Sequence, residues 1–514
     1  MTTTLLRGGH IYTPADPHAT AMLVHDDTVA WVGTDRSAGT TVTPDTVVEL
    51  SGALVTPAFV DAHVHLTSTG LTLAGLNLAG TPSLTRALDA LAEHAANTHA
   101  PVILGGGWDE TTWPERRPPT ATELDRATGG AKVYLARVDV HSAVVSTALL
   151  AATPQAAALP GHDPAGHVRL DAHHALRDTA YSAIPTHQLA AAQRTARAHA
   201  ASLGIGSLHE MAGPTVSGTR DIETLLRIAA TELGPEIIAY WGELGAIDTV
   251  RELGLAGAGG DLFCDGSLGS HTAALTTPYA DRPDTTGHLR YDATQIAEHL
   301  AACTRAGIQG GFHAIGDRAL TAILDGARIA AQMVGPQTLA ASGHRIEHAE
   351  MPPDVDRFAH HGLLASVQPA FDAHWGGEHG MYATRLGASR ALRLNPLAGY
   401  AAAGVPLALG SDSPVTPLDP WGAVRAAVHH HTPGAGLSPR AAFAAATRGG
   451  WTAARRDAEG IGTLIPGAPA SYAVWDISTS APLTAGLPDL SADTTPPTCL
   501  RTTVRGTTIF ERKP

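Results

Sequence analysis

The stretch Pro57-Ala58-Phe59-Val60-Asp61-Ala62-His63-Val64-His65 joins an apolar run to two histidines that stand two positions apart. In a β-strand, residues i and i+2 point to the same side, so His63 and His65 at a strand end can reach one metal ion together. Because the chain has 28 histidines, a His-x-His pair alone carries little weight. Its position directly after a hydrophobic strand favours a metal-binding role.

Beyond about residue 195, short apolar runs alternate with alanine-rich segments of helical length. Strands that alternate with helices predict parallel βαβ units, and eight such strands fit an α/β fold of the (β/α)8 TIM barrel type. The predicted strands are Leu54–Val60, Gly206–Glu210, Ile237–Trp241, Asp261–Cys264, Gly310–His313, His344–Glu347, Leu364–Gln368 and Leu407–Gly410.

The two ends of the chain share a different texture of short β-rich runs and turns. We expect residues 1–56 and 455–514 to form one composite β-sandwich domain. Residues 57–70 and 195–454 are then the barrel, and residues 71–194 form a subdomain inserted after strand one, on the catalytic face. The insertion has predicted strands at Val102–Gly105 and Lys132–Arg137 and helices at Ser83–Ala96 and Thr186–Ser202.

The composition excludes several classes of protein. Of the 514 residues, 44% are hydrophobic and 16% charged, which excludes a largely disordered chain or a coiled coil. With 34 basic and 48 acidic residues, the net charge of −14 argues against nucleic-acid or membrane partners. Three widely spaced cysteines fit a reducing cytoplasm better than a disulfide framework. We expect a cytoplasmic protein with a small-molecule substrate, and base rates favour a homodimer.

Three further motifs end predicted barrel strands, at the edge where (β/α)8 enzymes gather their active-site residues. Neutral imidazole and carboxylate are suitable ligands for zinc or a similar ion. The pattern therefore predicts a divalent metal centre. The motifs are Gly311-Phe312-His313-Ala314-Ile315-Gly316-Asp317, His344-Arg345-Ile346-Glu347-His348-Ala349-Glu350 and Leu409-Gly410-Ser411-Asp412-Ser413-Pro414.

Taken together, these motifs resemble the amidohydrolase superfamily, in the amidohydrolase-3 branch that includes N-substituted formamide deformylase-like metal-dependent hydrolases. The likeness extends over nearly the whole chain and is specific for the branch, although not for a substrate. Further motifs that carry it are Gly106-Gly107-Trp108-Asp109, Arg137-Val138-Asp139-Val140-His141, Asp265-Gly266-Ser267-Leu268-Gly269-Ser270 and Arg345-Ile346-Glu347-His348.

The resemblance implies a role for each strand-end residue. His63 and His65 match the metal-binding pair of strand one, His313 the ligand of strand five and His348 that of strand six. Asp412 matches the strand-eight carboxylate, which binds metal and acts as the general base. Zn²⁺ or another divalent ion, one or two per chain, is the implied cofactor.

One position departs from the family pattern. Relatives with two metals often bridge them with a carboxylated lysine in strand four, and Asp261 stands at that position here. Either Asp261 bridges two ions directly, or the site holds one ion bound by His63, His65, His313 and Asp412. In the second arrangement His348 polarises the substrate carbonyl or holds the water. The substitution slightly favours one ion.

The resemblance also implies a mechanism and a substrate pocket. Asp412 takes a proton from water and passes it to the leaving amine, while His348 supports the oxyanion. Trp108, His141 and Ser267 are candidate substrate-binding residues. An alternative of equal weight is that Trp108 packs the inserted subdomain.

The most favoured activity is hydrolysis of a non-peptide C–N bond, in a linear amide or an N-substituted formamide. Deamination of a cyclic amidine and a catalytically silent metal-binding scaffold are the alternatives. Glu210 and Asp317 either orient a ligand histidine or cap a helix. The histidine runs at 173–174, 360–361 and 429–431 are expected at the surface.

Overall fold

The computed structural model describes residues 2–38, 43–98, 100–457, 460–478 and 483–513. Its central element is an eight-stranded sheet in which each strand pairs in parallel with its neighbours in sequence. The strands are β1 (Phe59–Val64), β2 (Ile205–Ala212), β3 (Glu236–Trp241), β4 (Gly257–Ala258), β5 (Gln309–Ala314), β6 (Arg345–His348), β7 (Leu364–Val367) and β8 (Leu407–Leu409).

The sheet curls until its first and last strands meet. Val64 at the end of β1 forms a parallel bridge with Ser413, which follows β8. The backbone N–H of Asp412 donates to the carbonyl of His63 at 2.8 Å. This nearly closed barrel confirms the predicted (β/α)8 fold, and the closure brings two candidate metal ligands to the same edge.

The predicted first strand, Leu54–Val60, is divided in the structure between two sheets. Leu54–Pro57 pairs antiparallel with Tyr472–Asp476 in a sheet outside the barrel, and β1 starts at Phe59. The hydrophobic run is continuous because both parts are buried, so its composition carries no mark of the division at Ala58.

The fourth strand also differs from the prediction. β4 is Gly257–Ala258, and Asp261–Cys264 is irregular apart from one parallel bridge between Phe263 and His313. Glycines explain the change: Gly260 has φ +75°, and a Cβ on Gly259 would lie 2.6 Å from the backbone nitrogen of Gly311. The chain therefore leaves the sheet before the apolar residues on which the prediction was based.

Helices surround the barrel, and local capping explains where they begin and end. For example, the side chain of Asp292 accepts from the N–H of Gln295 in a capping box, and Gly307 ends that helix in the left-handed conformation. The helices of this part are Leu66–Ala74, Thr186–Ser202, Thr219–Thr231, Ile247–Leu253, Ala293–Ala306, Asp317–Val334, Pro336–Ala341, Val355–His360, Pro369–Trp375, Met381–Leu386, Ala388–Ala391, Leu397–Ala402, Pro420–Val428, Pro439–Ala445 and Arg448–Ala453.

Strands from both chain ends form two further sheets that share one buried cluster, which includes Leu6, Val55 and Val474. The pairing of Leu54–Pro57 with Tyr472–Asp476 joins the two ends. One sheet contains Thr28–Gly33, Ala21–His25, Thr3–Arg7 and Thr46–Glu49, and the other His10–Ile11, Leu54–Pro57, Tyr472–Asp476, Thr498–Val504 and Thr507–Glu511; a short helix is Asp35–Ala38.

The segment after β1 forms a five-stranded sheet with its own helices. The helix that follows this segment, Thr186–Ser202, runs across the predicted boundary at residues 194 and 195, and the boundaries stay a prediction. Within the described ranges, no helix is long and apolar enough to cross a membrane. The strands are His167–Arg169, Ser142–Val145, Val133–Arg137, Ile103–Trp108 and Leu76–Asn77, and the helices Leu84–Asn97, Glu110–Thr112, Ala121–Thr128, Thr147–Ala152, Pro154–Ala158 and Leu170–Ser182.

Candidate metal centre

Buried histidine and aspartate side chains meet at the carboxyl ends of the barrel strands. They come from β1 and its end, the segment after β4, β5, β6 and the turn after β8, and each is at most 6% exposed. All six residues predicted as metal ligands are therefore brought together: His63, His65, Asp261, His313, His348 and Asp412.

The ligand atoms are spaced as the donors of a small cation are. His63 Nε2 lies 3.5 Å from Asp261 Oδ1 and 3.4 Å from Asp412 Oδ1, and His313 Nδ1 lies 3.4 Å from Asp261 Oδ1. Two donors at zinc-ligand bond lengths in a tetrahedral arrangement are roughly 3.3 Å apart. The spacing thus fits a divalent ion.

Unpaired polar atoms give a second test of the fit. His63 Nε2, Asp261 Oδ1, His313 Nδ1 and Asp412 Oδ1 are buried and have no hydrogen-bond partner. Such atoms are costly in a protein interior unless a ligand satisfies them. Since neutral imidazole and carboxylate are the donors that zinc and similar ions accept, the residues present fit a metal.

Asp261 stands between two overlapping groups of ligand atoms. One group is His63, Asp261 and His348, and the other is His63, His65 and Asp412, with the atoms of each within 4.8 Å of one another. Asp261 Oδ1 faces His63, His313 and His348, whereas its Oδ2 lies 3.1 Å from His65 Nε2. The carboxylate can therefore contribute an oxygen to either group.

Two of these residues have unusual backbones. His348 has φ +67° and Asp412 has φ +55°, in the left-handed region that bulky side chains rarely adopt. Strained conformations of this kind gather at functional sites, where the surrounding fold maintains them. Here they turn both side chains towards the centre at the ends of β6 and β8.

The other ring nitrogens of the histidines are held by the barrel. His63 Nδ1 lies 2.9 Å from Glu347 Oε2, His348 Nδ1 lies 2.8 Å from Gln368 Oε1, and His65 Nδ1 lies 3.1 Å from the carbonyl of Met211. These partners orient the rings so that the opposite nitrogen faces the centre.

The sequence motifs do not identify Glu347 as a functional residue, although it lies in the motif that ends β6. Burial raises its pKa, but the Arg345 guanidinium and His63 outweigh that effect and lower the pKa to about 2. Arg345 Nε donates to Glu347 Oε1 at 2.5 Å. The i, i+2 spacing of the two charges was an available signal, since it puts both inside the barrel.

Neither carboxylate suggested as a histidine-orienting group has that role. Glu210 Oε2 accepts from the N–H of Leu66 at 2.8 Å, and Asp317 Oδ1 accepts from the N–H of Thr276 at 2.9 Å. Glu210 thus satisfies the first N–H of the helix Leu66–Ala74, and Asp317 satisfies a backbone group in the loop after β4.

The predicted substrate residues have different positions. His141 packs against the ring of His313 with centroids 5.0 Å apart, and burial lowers its pKa to about 4, to which His313 also contributes. Ser267 lines a small cavity beside His141 and donates to Asp139 Oδ2 at 2.7 Å. His141 is therefore a neutral wall of the centre, while Ser267 joins the loop after β4 to the insertion.

Trp108 is not brought to the centre. Its side chain is fully buried in the core of the insertion, where Nε1 donates to the carbonyl of Leu135 at 2.9 Å and the ring packs against Trp113. The aromatic residue fills the subdomain, as the alternative interpretation proposed.

Of the histidine runs expected at the surface, the run at 429–431 is largely exposed, whereas the run at 173–174 is not. His173 is buried and its Nε2 lies 2.7 Å from the hydroxyl of Tyr134, and His174 lines the cavity above the centre. His430 and His431 flank Asp372, with His431 Nδ1 3.1 Å from Asp372 Oδ2. Their partners come from distant segments, so inspection of neighbouring sequence could not find them.

The model of the amidohydrolase family matches residues 46–510 of the chain. Protein LONG AFTER FAR-RED 3 of Arabidopsis thaliana is 28% identical in an alignment 527 positions long, gaps included, which covers 92% of this chain and 88% of that protein. N-substituted formamide deformylase of Arthrobacter pascens is 24% identical over 463 residues, which cover 83% of each protein.

Among solved structures, an uncharacterized metal-dependent hydrolase from Pyrococcus horikoshii OT3 has the same fold. It superposes with a TM-score of 0.74 at 25% identity, and the alignment covers 92% of this chain and 97% of that one. The likeness therefore includes the barrel, the insertion and the sheets built from the chain ends.

Proposed function

Because this chain belongs to the amidohydrolase family, we propose that it hydrolyses a non-peptide C–N bond in a linear amide or an N-substituted formamide. The observation that carries the proposal is the convergence of unpaired imidazole and carboxylate atoms in a buried, concave site. The deformylase of Arthrobacter pascens supports the choice of bond.

The metal would be held by His63, His65, His313, His348, Asp261 and Asp412. A divalent ion such as zinc supplies Lewis acidity and makes water acidic enough to lose a proton near neutral pH. This donor set fits either one or two ions per chain. We favour zinc because nitrogen and oxygen donors at this spacing suit it.

The chain's own groups manage the proton. Asp412 has an oxygen free of hydrogen bonds and borders both small cavities above the centre, so it can accept a proton from water and deliver it to the leaving nitrogen. In the arrangement with one ion, where His348 is not a ligand, its ring is fixed through Gln368 and supports the oxygen that becomes negative in the transition state. The products are a carboxylic acid and an amine.

A substrate screen on protein of known metal content tests the proposal. We expect the metal-stripped protein to be inactive and to release amine from N-formyl or N-acyl amines after zinc or manganese is added. A reloaded protein that releases no amine from the whole panel overturns it. Ammonia release from cyclic amidines alone would identify a deaminase instead.

A cytoplasmic location, a small-molecule substrate and a homodimeric state belong to the same proposal. The acidic net charge of −14 and the enclosed site support a small-molecule substrate, since they favour small diffusible substrates over nucleic acid, and the three free cysteines support a reducing cytoplasm. Size-exclusion chromatography with light scattering tests the dimer.

A further inference from the structure

A cavity of about 170 Å³ adjoins the metal centre, between the barrel and the insertion. His65, Val140 and Arg177 line both this cavity and the small space above the centre. A molecule that fills the cavity therefore contacts Arg177 and lies next to the candidate metal ligands.

Arg177 is a buried cation without a paired anion. Its side chain projects from the helix Leu170–Ser182, the residue is 8% exposed, and no carboxylate among the described residues lies within 4.0 Å of its guanidinium. Its polar contacts are hydroxyl groups: Nη2 lies 3.5 Å from Ser68 Oγ, and the guanidinium also interacts with Tyr181, 5.1 Å from the ring centroid.

Among the other buried arginines, Arg137 and Arg345 are neutralised by carboxylates, whereas Arg197 has, within the described part of the chain, only the carbonyl of Glu232 as a partner. Arg137 has carboxylates of Asp109, Glu110 and Asp139 within 3.0 Å, and Arg345 is paired with Glu347. An isolated charge is expensive to bury, and arginine remains protonated in proteins. A positive charge beside a metal cation adds repulsion, so an anion from outside the chain would stabilise this arrangement.

The cavity has the complementary chemistry. None of its lining residues is aspartate or glutamate, although the whole chain is acidic. Ser68, Tyr134 and Tyr181, which carry hydroxyl groups, line the cavity together with Arg177. The remaining wall is largely apolar and includes Leu71, Leu73, Leu104, Val138, Val140 and Leu418.

We propose that Arg177 binds a carboxylate of the substrate, and that the substrate class is an N-formyl or N-acyl amine whose amine part carries a carboxylate and an apolar group. Guanidinium binds carboxylate in a bidentate manner, and the apolar wall takes the side chain. We place the carboxylate on the amine part because the carbonyl carbon of a formyl group bears only hydrogen and cannot carry it. This inference rests on the proposed amide hydrolysis.

Two substrates that differ in one carboxylate test it: N-formylbenzylamine and N-formylphenylglycine, both enantiomers. We expect the wild-type protein to prefer the phenylglycine compound in kcat/KM. Arg177→Gln should reduce that preference about 10- to 100-fold, mainly through KM, because a charge-assisted contact is lost. Any loss common to both substrates cancels in the ratio.

Variants and a binding measurement complete the test. Arg177→Lys should retain part of the preference, while Arg86→Gln, an exposed arginine of the insertion, should retain all of it. Calorimetry with phenylacetate and 2-phenylethanol, which the enzyme cannot hydrolyse, should show weaker phenylacetate binding in Arg177→Gln and no difference for the alcohol.

The outcomes separate the two proposals. An unchanged substrate preference and unchanged phenylacetate affinity in Arg177→Gln overturn the carboxylate pocket and leave amide hydrolysis intact. If neither formyl compound is hydrolysed by the wild type, amide hydrolysis loses support, whereas the phenylacetate titration still decides the role of Arg177.

Discussion

The barrel interior has two polar layers that differ in how well they are satisfied. In the lower layer, Arg345 donates to Glu347, to the carbonyl of Ala62 and to Ser366, at distances between 2.5 and 3.0 Å. In the upper layer, four ring and carboxylate atoms are buried without partners. Glu347 joins the layers through His63.

The difference separates structural from functional polarity. A buried charge whose hydrogen bonds are all made within the fold has a structural role. Removing its partner lowers the free energy of unfolding. Buried polar atoms without hydrogen-bond partners destabilise the fold, and a ligand that binds them offsets this cost. Substitutions in the two layers and removal of the metal test this distinction.

Asp412→Asn should lower kcat about 10²- to 10⁴-fold, because the general base is lost. Asparagine tolerates the left-handed backbone of this position, so the fold should persist. Steady-state kinetics and circular dichroism measure the two effects. Hydrolysis at the wild-type rate would remove Asp412 from its role.

Glu347→Gln should affect both layers. Leaving Arg345 without its anion should cost about 3–5 kcal/mol of unfolding free energy. The weaker hold on His63 should reduce metal affinity about 10- to 100-fold, measured by competition with a chelating dye.

Glu210→Gln is the matched control for this variant. Glu210 is equally buried but contacts the backbone of Leu66 rather than a ligand ring, so metal affinity should stay near the wild-type value. Equal losses of affinity in both variants would show that general destabilisation, not the orientation of His63, is responsible.

Metal removal should lower the stability of the native state, because it leaves the polar atoms of the upper layer without a ligand. At free zinc 100 times above its Kd, the native state should gain about 2.7 kcal/mol over the stripped protein, seen as a higher Tm. His65→Ala should reduce this gain, and the exposed His360→Ala should retain it. A Tm that is independent of zinc contradicts a metal ligated by these residues.

Trp108→Phe should have the smallest effect, on stability only. The change leaves the Leu135 carbonyl without its donor and should cost about 1–3 kcal/mol in chemical denaturation. Substrate preference should not change. A variant with wild-type stability but altered substrate preference would return Trp108 to the substrate pocket.

Much of the fold and the candidate ligands could be predicted from local pattern. Apolar runs alternating with helical segments predicted the barrel, and strand ends predicted His313, His348 and Asp412. The prediction of the fourth strand was wrong because it relied on the apolar residues of Asp261–Cys264. The strand itself is Gly257–Ala258, where a Cβ on Gly257 would lie 2.5 Å from the carbonyl oxygen of Gln309.

Other site residues could not be predicted this way. Arg177 and His174 lie on a helix of the insertion, more than 80 residues before Asp261 in the chain, and reach the centre only through the packing of two units. The contact between Glu347 and His63 depends on barrel closure, which brings β1 and β6 to face each other.

By itself the sequence determined the alternation of strands and helices and the set of side chains at the strand ends. Both follow from backbone periodicity, which acts over a few residues. The tertiary structure alone decided which polar atoms remain unpaired and which carboxylate holds His63. It also decided which arginine lines the cavity without a carboxylate beside it. These depend on contacts between residues far apart in the chain, and no local pattern encodes their geometry.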